Sequence, residues 1–272
     1  MDISKDMTTQ PGTIRRVDYT PPPFLIETVD LDVELGAETT GVVARLAVRR
    51  NPAAVARPDD LVLDGKKMEF VSVSLDGEPA VHAVTPESLI LRGVPDSFSL
   101  EIKTRLRPQD NSELTGLYKS RDLFCTQCEA EGFRRITYFL DRPDVMARYT
   151  TRIVADRALA PVLLSNGNLV DSGDLGDGRH FARWEDPFPK PSYLFALVAG
   201  PLECLEDRFT TRSGREVTLR IYVRPGDVGR CGHAMDSLKK SMKWDEDVYG
   251  LEYDLDTFMI VAIDDFNMGA ME

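Results

Sequence analysis

The strongest constraint on the fold is a run of alternating residues at positions 25–35, in which apolar and polar side chains take turns almost strictly. Side chains of a β-strand point alternately to opposite faces of the sheet, so this pattern predicts a strand with one buried face. Shorter runs of the same kind continue to residue 106, separated by turn dipeptides such as Asp64-Gly65 and Asp76-Gly77. No helical pattern lies between these runs, which predicts an antiparallel β-sandwich.

Strand patterns continue up to Gly200, including residues 149–155 and 193–199. The prolines at 187, 189 and 191 predict an extended conformation for residues 186–191, because proline fixes φ and removes a donor. Gly200-Pro201 is the predicted domain boundary. The chain therefore divides into an N-terminal β-sandwich domain, residues 1–200, and the start of a second domain, residues 201–272.

The second part combines strands with one helix. Alternation predicts a strand at residues 216–223, and apolar residues at helical spacing predict a helix at 234–249, with Gly250 as its C-terminal cap. The apolar run at 258–263 is typical of a strand buried on both faces. The fold class that follows is mainly β.

Composition excludes several functions. Asp and Glu outnumber Lys and Arg by 45 to 33, a net charge of −12, which argues against a nucleic-acid partner. The first ten residues hold no apolar run typical of a signal peptide. The longest apolar stretch is far shorter than the ~20 residues of a membrane span, which argues against a membrane partner. Four cysteines are too few for a disulfide scaffold and predict a cytoplasmic protein.

The last residues, Asn267 to Glu272, follow the apolar strand and contain Gly269. Glycine allows a close approach of the backbone to a ligand, and a strand that ends in small residues and a carboxylate suits the binding of an extended peptide. Spacing alone leaves two interpretations open, a chain end that frays after a core strand and a binding edge.

Two motifs favour the interpretation as a binding edge. Asn-Met-Gly-Ala-Met-Glu at 267–272 resembles the beginning of the G-A-M-E-N motif of zinc aminopeptidases of the aminopeptidase N type. Residues 125–133 resemble the T-Q-x-E-A-x-x-x-R segment of the same family, with Arg134 or Arg135 near its arginine. Further stretches across the chain, such as 138–145, 163–168, 186–191, 193–200 and 209–216, resemble bacterial members. Asp265 departs from the pattern, which predicts an aromatic residue there.

The resemblance implies a saddle-like N-terminal β-sandwich followed by the β-rich start of a thermolysin-like α/β catalytic domain. It also implies that Glu129 and Glu272 together bind the free α-amino group of a peptide substrate. An ammonium group removed from water needs charge-assisted partners, and two carboxylates supply them. The substrate-binding residues predicted on this basis are Gln127, Glu129, Met268, Gly269, Ala270, Met271 and Glu272.

In that family a zinc ion on two histidines and a glutamate activates water, and a second glutamate is the general base. The H-E-x-x-H motif that supplies these residues does not occur in this sequence. The expectation is therefore an N-terminal fragment of a zinc aminopeptidase, without catalytic residues, metal ligands or zinc of its own. We expect it to be inactive without the remainder of its catalytic domain.

Two alternatives stay open. The first is a non-catalytic β-sandwich that binds other proteins. The second is a thiol oxidoreductase, because Cys125 and Cys128 form a C-x-x-C pair. His180 and His233 stand alone in polar contexts without metal-ligand spacing, and we predict that both lie on the surface.

Overall fold

We analysed a computed structural model of the protein, which describes residues 15–271. Strands dominate this part of the chain. In chain order they are β1 (Phe24–Leu35), β2 (Thr40–Arg50), β3 (Leu61–Asp64), β4 (Glu69–Leu75), β5 (Glu78–Pro79), β6 (His82–Val84), β7 (Ser88–Leu91), β8 (Ser97–Leu106), β9 (Gly116–Ser120), β10 (Leu123–Gln127), β11 (Met146–Asp156), β12 (Val162–Ser165), β13 (Asn168–Gly176), β14 (Arg179–Pro191), β15 (Leu197–Gly200), β16 (Glu203–Thr210), β17 (Glu216–Val223) and β18 (Thr257–Val261).

The helix predicted at 234–249 is observed as α1, Gly232–Val248. Met235, Leu238 and Met242 form its buried face, and Gly250 adopts a left-handed φ of 68° just beyond its end. No helix within residues 15–271 is long and apolar enough to cross a membrane. Short 3₁₀ helices occur at Arg16–Asp18, Pro108–Asp110, Phe133–Arg135, Ser192–Leu194 and Val228–Arg230.

The largest sheet has eight strands in the order β13-β14-β11-β1-β2-β8-β4-β5. The alternation at positions 25–35 becomes the alternating burial of β1, in which Leu31, Val33 and Leu35 face the core. The prediction of extended backbone at 186–191 is confirmed, because these residues form the end of β14.

One pairing in this sheet departs from the antiparallel expectation. Strand β1 pairs with β11 in parallel, from Thr28 opposite Arg148 to Leu35 opposite Ala155. Parallel neighbours need a long connection, and the chain between β1 and β11 contains nine strands that enter this sheet and two others. Strand β18 also pairs in parallel, with β17.

Two smaller sheets, β12-β15-β10-β9 and β3-β7-β6, share one apolar core with the buried face of the large sheet. Phe133 is fully buried in this core, with its ring centroid 4.9 Å from that of Phe139 and 5.3 Å from that of Phe195, both in edge-to-face geometry. The mainly β fold is thereby confirmed.

The last sheet, β16-β17-β18, lies between this core and a second one formed with α1. In β18, Phe258 and Ile260 contact the second core, whereas Met259 and Val261 contact the first. The strand is shorter than the predicted 258–263 and only partly buried, because it lies at the edge of its sheet. Strand β15 ends at residue 200 and the last sheet begins at 203; the division into domains stays a prediction.

Candidate functional site

Gln127, the last residue of β10, is the most enclosed of the predicted site residues. Strands β9 and β10 form a hairpin, residues 116–127, in which Gln127 lies opposite Gly116. The side chain is fully buried, and its Nε2 contacts the sulfur of Met268. Its Oε1 is buried and accepts no hydrogen bond from the described residues. An unpaired buried amide oxygen costs free energy, so this atom is suited to accept a hydrogen bond from a bound molecule.

Glu129 lies in the tight turn that follows the hairpin. The N–H of Gly132 donates to the carbonyl oxygen of Cys128 at 2.7 Å and closes this turn. The peptide bond between Glu129 and Ala130 is cis. Glu129 is half-buried.

Arg134 and Arg135, the two candidates for the family's arginine, pair with other carboxylates. Nε of Arg134 donates to Oδ2 of Asp141 at 2.9 Å, and the backbone N–H of Arg134 donates to the same oxygen at 3.1 Å. The guanidinium of Arg135 donates to Glu113. No ion pair involves Glu129 within the described chain, so its carboxylate has no cation of this region as a partner.

The segment that follows β18, residues 264–271, lies against the hairpin through Asp265. The hydroxyl of Tyr118 donates to the Asp265 carbonyl oxygen at 2.7 Å. The hydroxyl of Ser120 donates to Oδ2 of Asp265 at 2.8 Å and accepts the Asp265 N–H at 3.2 Å. The position at which the family pattern predicts an aromatic residue therefore holds a hydrogen-bonded carboxylate.

Arg224 joins the same segment to the turn of the hairpin. Its Nη1 donates to Oδ1 of Asp122 at 2.5 Å and its Nε to Oδ2 of Asp264 at 2.6 Å. The hydrogen bond from Arg224 lowers the pKa of the Asp122 carboxyl below its ordinary value. Further along, Nδ2 of Asn267 donates to the carbonyl oxygen of Leu114 at 3.2 Å. The segment is thus attached to the hairpin at several points.

These contacts bring together part of the predicted site. Gln127 and Met268, far apart in sequence, are in contact, and Glu129 lies two residues beyond Gln127. Glu272 lies outside the described residues, so its pairing with Glu129 stays a prediction. The other predicted residues continue the chain from Met268, with Gly269 and Ala270 exposed and Met271 partly buried.

The C-x-x-C pair lacks the properties of a redox site. All four cysteines are free, and Cys125 and Cys128 are buried. Burial raises the pKa of the Cys125 thiol to about 11 and raises that of Cys128 well above its ordinary value. Reactive cysteines are partly exposed and have lowered pKa values, so these observations argue against a thiol oxidoreductase.

No group of three or more His, Cys, Asp or Glu side chains between residues 15 and 271 could hold a metal ion. His233 is exposed, as predicted. His180 is not: it is buried, with Nε2 2.8 Å from the carbonyl oxygen of Ala160. The prediction of a surface histidine was wrong at this position because β14 directs the side chain into the core, where a backbone carbonyl pairs with it.

Sequence reasoning missed the residues that hold the segment in place, Tyr118, Ser120 and Arg224. Tyr118 and Ser120 stand two positions apart on β9, so they point to the same face of the strand. Their spacing fits any half-buried strand, and the contact with Asp265 spans about 145 residues of sequence. The one indication in the sequence was Asp265 itself, because a carboxylate in place of the expected aromatic residue suggests polar neighbours.

Comparisons with known proteins place these features in a family. Residues 27–194 match the family model described as the peptidase M1 N-terminal domain. Residues 233–272 match the model of the peptidase family M1 domain.

Among curated relatives, the aminopeptidase N of Caulobacter vibrioides is 54% identical over 97% of this chain. The aminopeptidase N of Escherichia coli strain K12 is 53% identical over 98% of it. The chain spans 31% and 30% of the lengths of these two relatives.

Solved structures of peptidases are also similar to this chain. An aminopeptidase A from Legionella pneumophila, in complex with aspartic acid, matches 93% of the chain with a TM-score of 0.89 and 37% identity, and the chain covers 30% of it. An M1 zinc metallopeptidase mutant from Deinococcus radiodurans, bound to a Tyr-Ser-Ala substrate, matches 89% with a TM-score of 0.74. At 16% identity, and with 57% of that protein covered, the second likeness shows the fold alone.

Proposed function

Because the chain belongs to the peptidase M1 family, we propose that it forms the N-terminal part of a zinc aminopeptidase and recognises the free α-amine of peptide substrates. Its substrates are peptides, from which the complete enzyme releases the N-terminal residue. The residues that contact the amine end of the substrate are Gln127, Glu129, Met268, Gly269, Ala270, Met271 and Glu272.

The observation that carries this proposal is the contact between Gln127 and Met268, which joins the two motifs across the fold. The buried Oε1 of Gln127 has no donor among the described residues, and the half-buried Glu129 has no described cation beside it. A substrate ammonium group supplies both a hydrogen-bond donor and a positive charge. It therefore matches what these two side chains lack.

A paired-carboxylate site also accounts for selectivity towards chain ends. An internal peptide nitrogen carries no charge, so its binding would leave the carboxylates desolvated and without a counter-ion. Such a site rejects internal peptide bonds by leaving charges unpaired rather than by a steric barrier.

In the family, zinc supplies polarisation of the scissile carbonyl and activation of water. The described residues do not fit a zinc site, since they contain no suitable ligand cluster. We therefore assign no catalytic step to this chain and propose that it does not hydrolyse peptides without the rest of its catalytic domain. The four free cysteines support a reducing, cytoplasmic location.

The test compares Glu129→Gln with wild type in the full-length enzyme. The substitution removes one carboxylate but keeps the shape of the side chain. We expect kcat/KM for aminoacyl arylamides to fall by about 30- to 1000-fold, which corresponds to roughly 2–4 kcal/mol for a charged partner lost from a dry site. Steady-state kinetics measure this change.

Glu131→Gln is the matched control, because Glu131 is an exposed carboxylate two residues away that pairs with Arg134 at 3.4 Å. It should leave kcat/KM within about twofold, as expected for a surface ion pair. Near-normal turnover by Glu129→Gln would contradict the proposal. Equal binding of free and N-acetylated peptides to the wild type would favour a non-catalytic binding module instead.

A further inference from the structure

The segment 264–271 is held by side chains rather than by a sheet. Strand β18 ends at Val261, and the last hydrogen bond between backbone groups in the described chain is donated by Ala262 to Tyr222, at 3.0 Å. Beyond that point Asp265 and Met268 contact the hairpin, Asp264 contacts Arg224, and Asn267 contacts Leu114 just before the hairpin. Side-chain contacts therefore take the place of sheet pairing in this part of the described structure.

The contacts of Asp265 with β9 form what we call the Asp265 latch, which consists of Tyr118, Ser120 and Asp265. Tyr118 and Ser120 are both fully buried. The single hydroxyl of Ser120 donates to the Asp265 carboxylate and accepts the Asp265 N–H, so it fixes both the side chain and the backbone of that residue. Asp265 is exposed, but losing its contacts would leave the hydroxyls of two buried residues unsatisfied, which costs free energy.

The latch and the predicted amine site share one rigid element. In the hairpin, Ser120 pairs with Leu123, Tyr118 with Cys125, and Gly116 with Gln127. The residues that hold Asp265 are therefore in fixed register with Gln127. On the other side, Met268 follows Asp265 by three residues and contacts Gln127.

We propose that Ser120 and Tyr118 are positioning residues that act through Asp265 to set the place of residues 268–271 relative to Gln127 and Glu129. This inference rests on the proposed function, since it explains how the two halves of the amine site are aligned. The sequence pattern of the family predicts an aromatic residue in place of Asp265, so the hydroxyl–carboxylate contact is a feature by which this chain departs from that pattern.

Kinetics of the full-length enzyme test the inference. Asp265→Ala and Ser120→Ala should each lower kcat/KM for aminoacyl arylamides about 10-fold or more, mainly through a higher KM, because misplacing a binding group weakens substrate capture. The double variant should be no worse than Ser120→Ala, because that substitution already removes the contact with the Asp265 carboxylate. Asp265→Asn retains an oxygen that accepts from Ser120 and should restore most of the activity.

A matched control separates positioning from general damage. Arg220 on β17 donates to Glu206 at 2.8 Å within its own sheet and does not contact the segment. Arg220→Gln should leave KM within about twofold of wild type, as expected for an exposed ion pair.

Hydrogen exchange gives a readout that does not depend on activity. In the 272-residue chain the Asp265 amide donates to Ser120 Oγ, so Ser120→Ala should accelerate its exchange while amides of β1 and β2 keep their protection. Unchanged Asp265 exchange, or additive losses in the double variant, would overturn the inference. If the wild-type enzyme shows no preference for a free amine, the proposed function fails, whereas the exchange result still decides whether the latch holds the segment.

Discussion

At the scale of single residues, Gly132 decides the shape of the turn that carries Glu129. A Cβ atom at this position would lie 2.4 Å from the carbonyl oxygen of Gln127 and 2.8 Å from the Cα of Cys128. Both are backbone atoms, so neither can rotate away as a side chain would. The turn can close over β10 only because residue 132 has no side chain.

We expect Gly132→Ala to lower the free energy of unfolding by roughly 2–3 kcal/mol, because the backbone of the turn must move to admit the methyl group. Urea denaturation measures this change. The control is Gly41→Ala in β2, where an added Cβ would have no atom within 4 Å. The control should leave stability unchanged or raise it by up to about 1 kcal/mol. Equal stabilities of the two variants would show that the turn is looser than described.

At the scale of elements, β14 contains a buried ion pair that packs against β11, the strand with which it also shares backbone hydrogen bonds. Nζ of Lys190 donates to Oδ2 of Asp186 at 2.9 Å and lies 4.1 Å from the ring centroid of Tyr149, which stands opposite Asp186 on β11. Burial lowers the pKa of Lys190, and the nearby Asp186 carboxylate opposes that shift. The charged lysine depends on this one carboxylate because both groups are removed from water.

Asp186→Asn should therefore destabilise the protein by about 3–5 kcal/mol, since it leaves a buried ammonium group without a counter-ion. The control is Glu185→Gln, a change of the same kind at the exposed neighbouring position. It should alter stability by no more than about 0.5 kcal/mol. Chemical denaturation of both variants at neutral pH gives the comparison. A loss in Asp186→Asn no larger than in the control would mean that Lys190 reaches water.

At the scale of the whole molecule, acidic protons are buried in several parts of the fold. Burial raises the pKa of Cys125 to about 11 and that of Tyr253 to about 12. It also raises the pKa values of Cys128, Tyr118 and Tyr149. In each case the folded protein keeps a proton that the unfolded chain releases at a lower pH.

This difference predicts that stability falls as the pH rises from about 9 to 12. Between the ordinary pKa of 9.0 and the folded value of about 11, Cys125 binds a proton in the folded state and not in the unfolded state. Its contribution is present below pH 9 and is lost through this window. The pKa of Lys190 is lowered, so this group alone would make stability rise with pH. It is one group against several whose pKa values are raised. The sum is therefore a loss of stability.

Urea midpoints between pH 8 and pH 11 test the expectation. The decline should be shallower in Cys125→Ala, because that variant lacks one of the buried thiols that ionise near pH 9 in the unfolded chain. Midpoints that stay constant or rise across this range would contradict the assignment of these groups as buried and protonated.

Local sequence patterns determined most of the secondary structure. The strand predicted at 216–223 is β17, Glu216–Val223, because alternation of side chains is a property of neighbouring residues and needs no knowledge of the partner strand. The helix at 234–249 was predicted within two residues for the same reason. Two motifs in the sequence indicated the site residues. The sequence does not show how the two motifs are arranged in space.

The tertiary structure alone decided which segments lie together. The parallel pairing of β1 with β11, the burial of His180 and the contact of Ser120 with Asp265 all join residues that are distant in sequence or buried by a distant element. Such contacts form when many strands pack at once, and each strand's own pattern is compatible with several partners. The chain therefore specified its strands locally, whereas the alignment of the two halves of its proposed amine site emerged only from the packed fold.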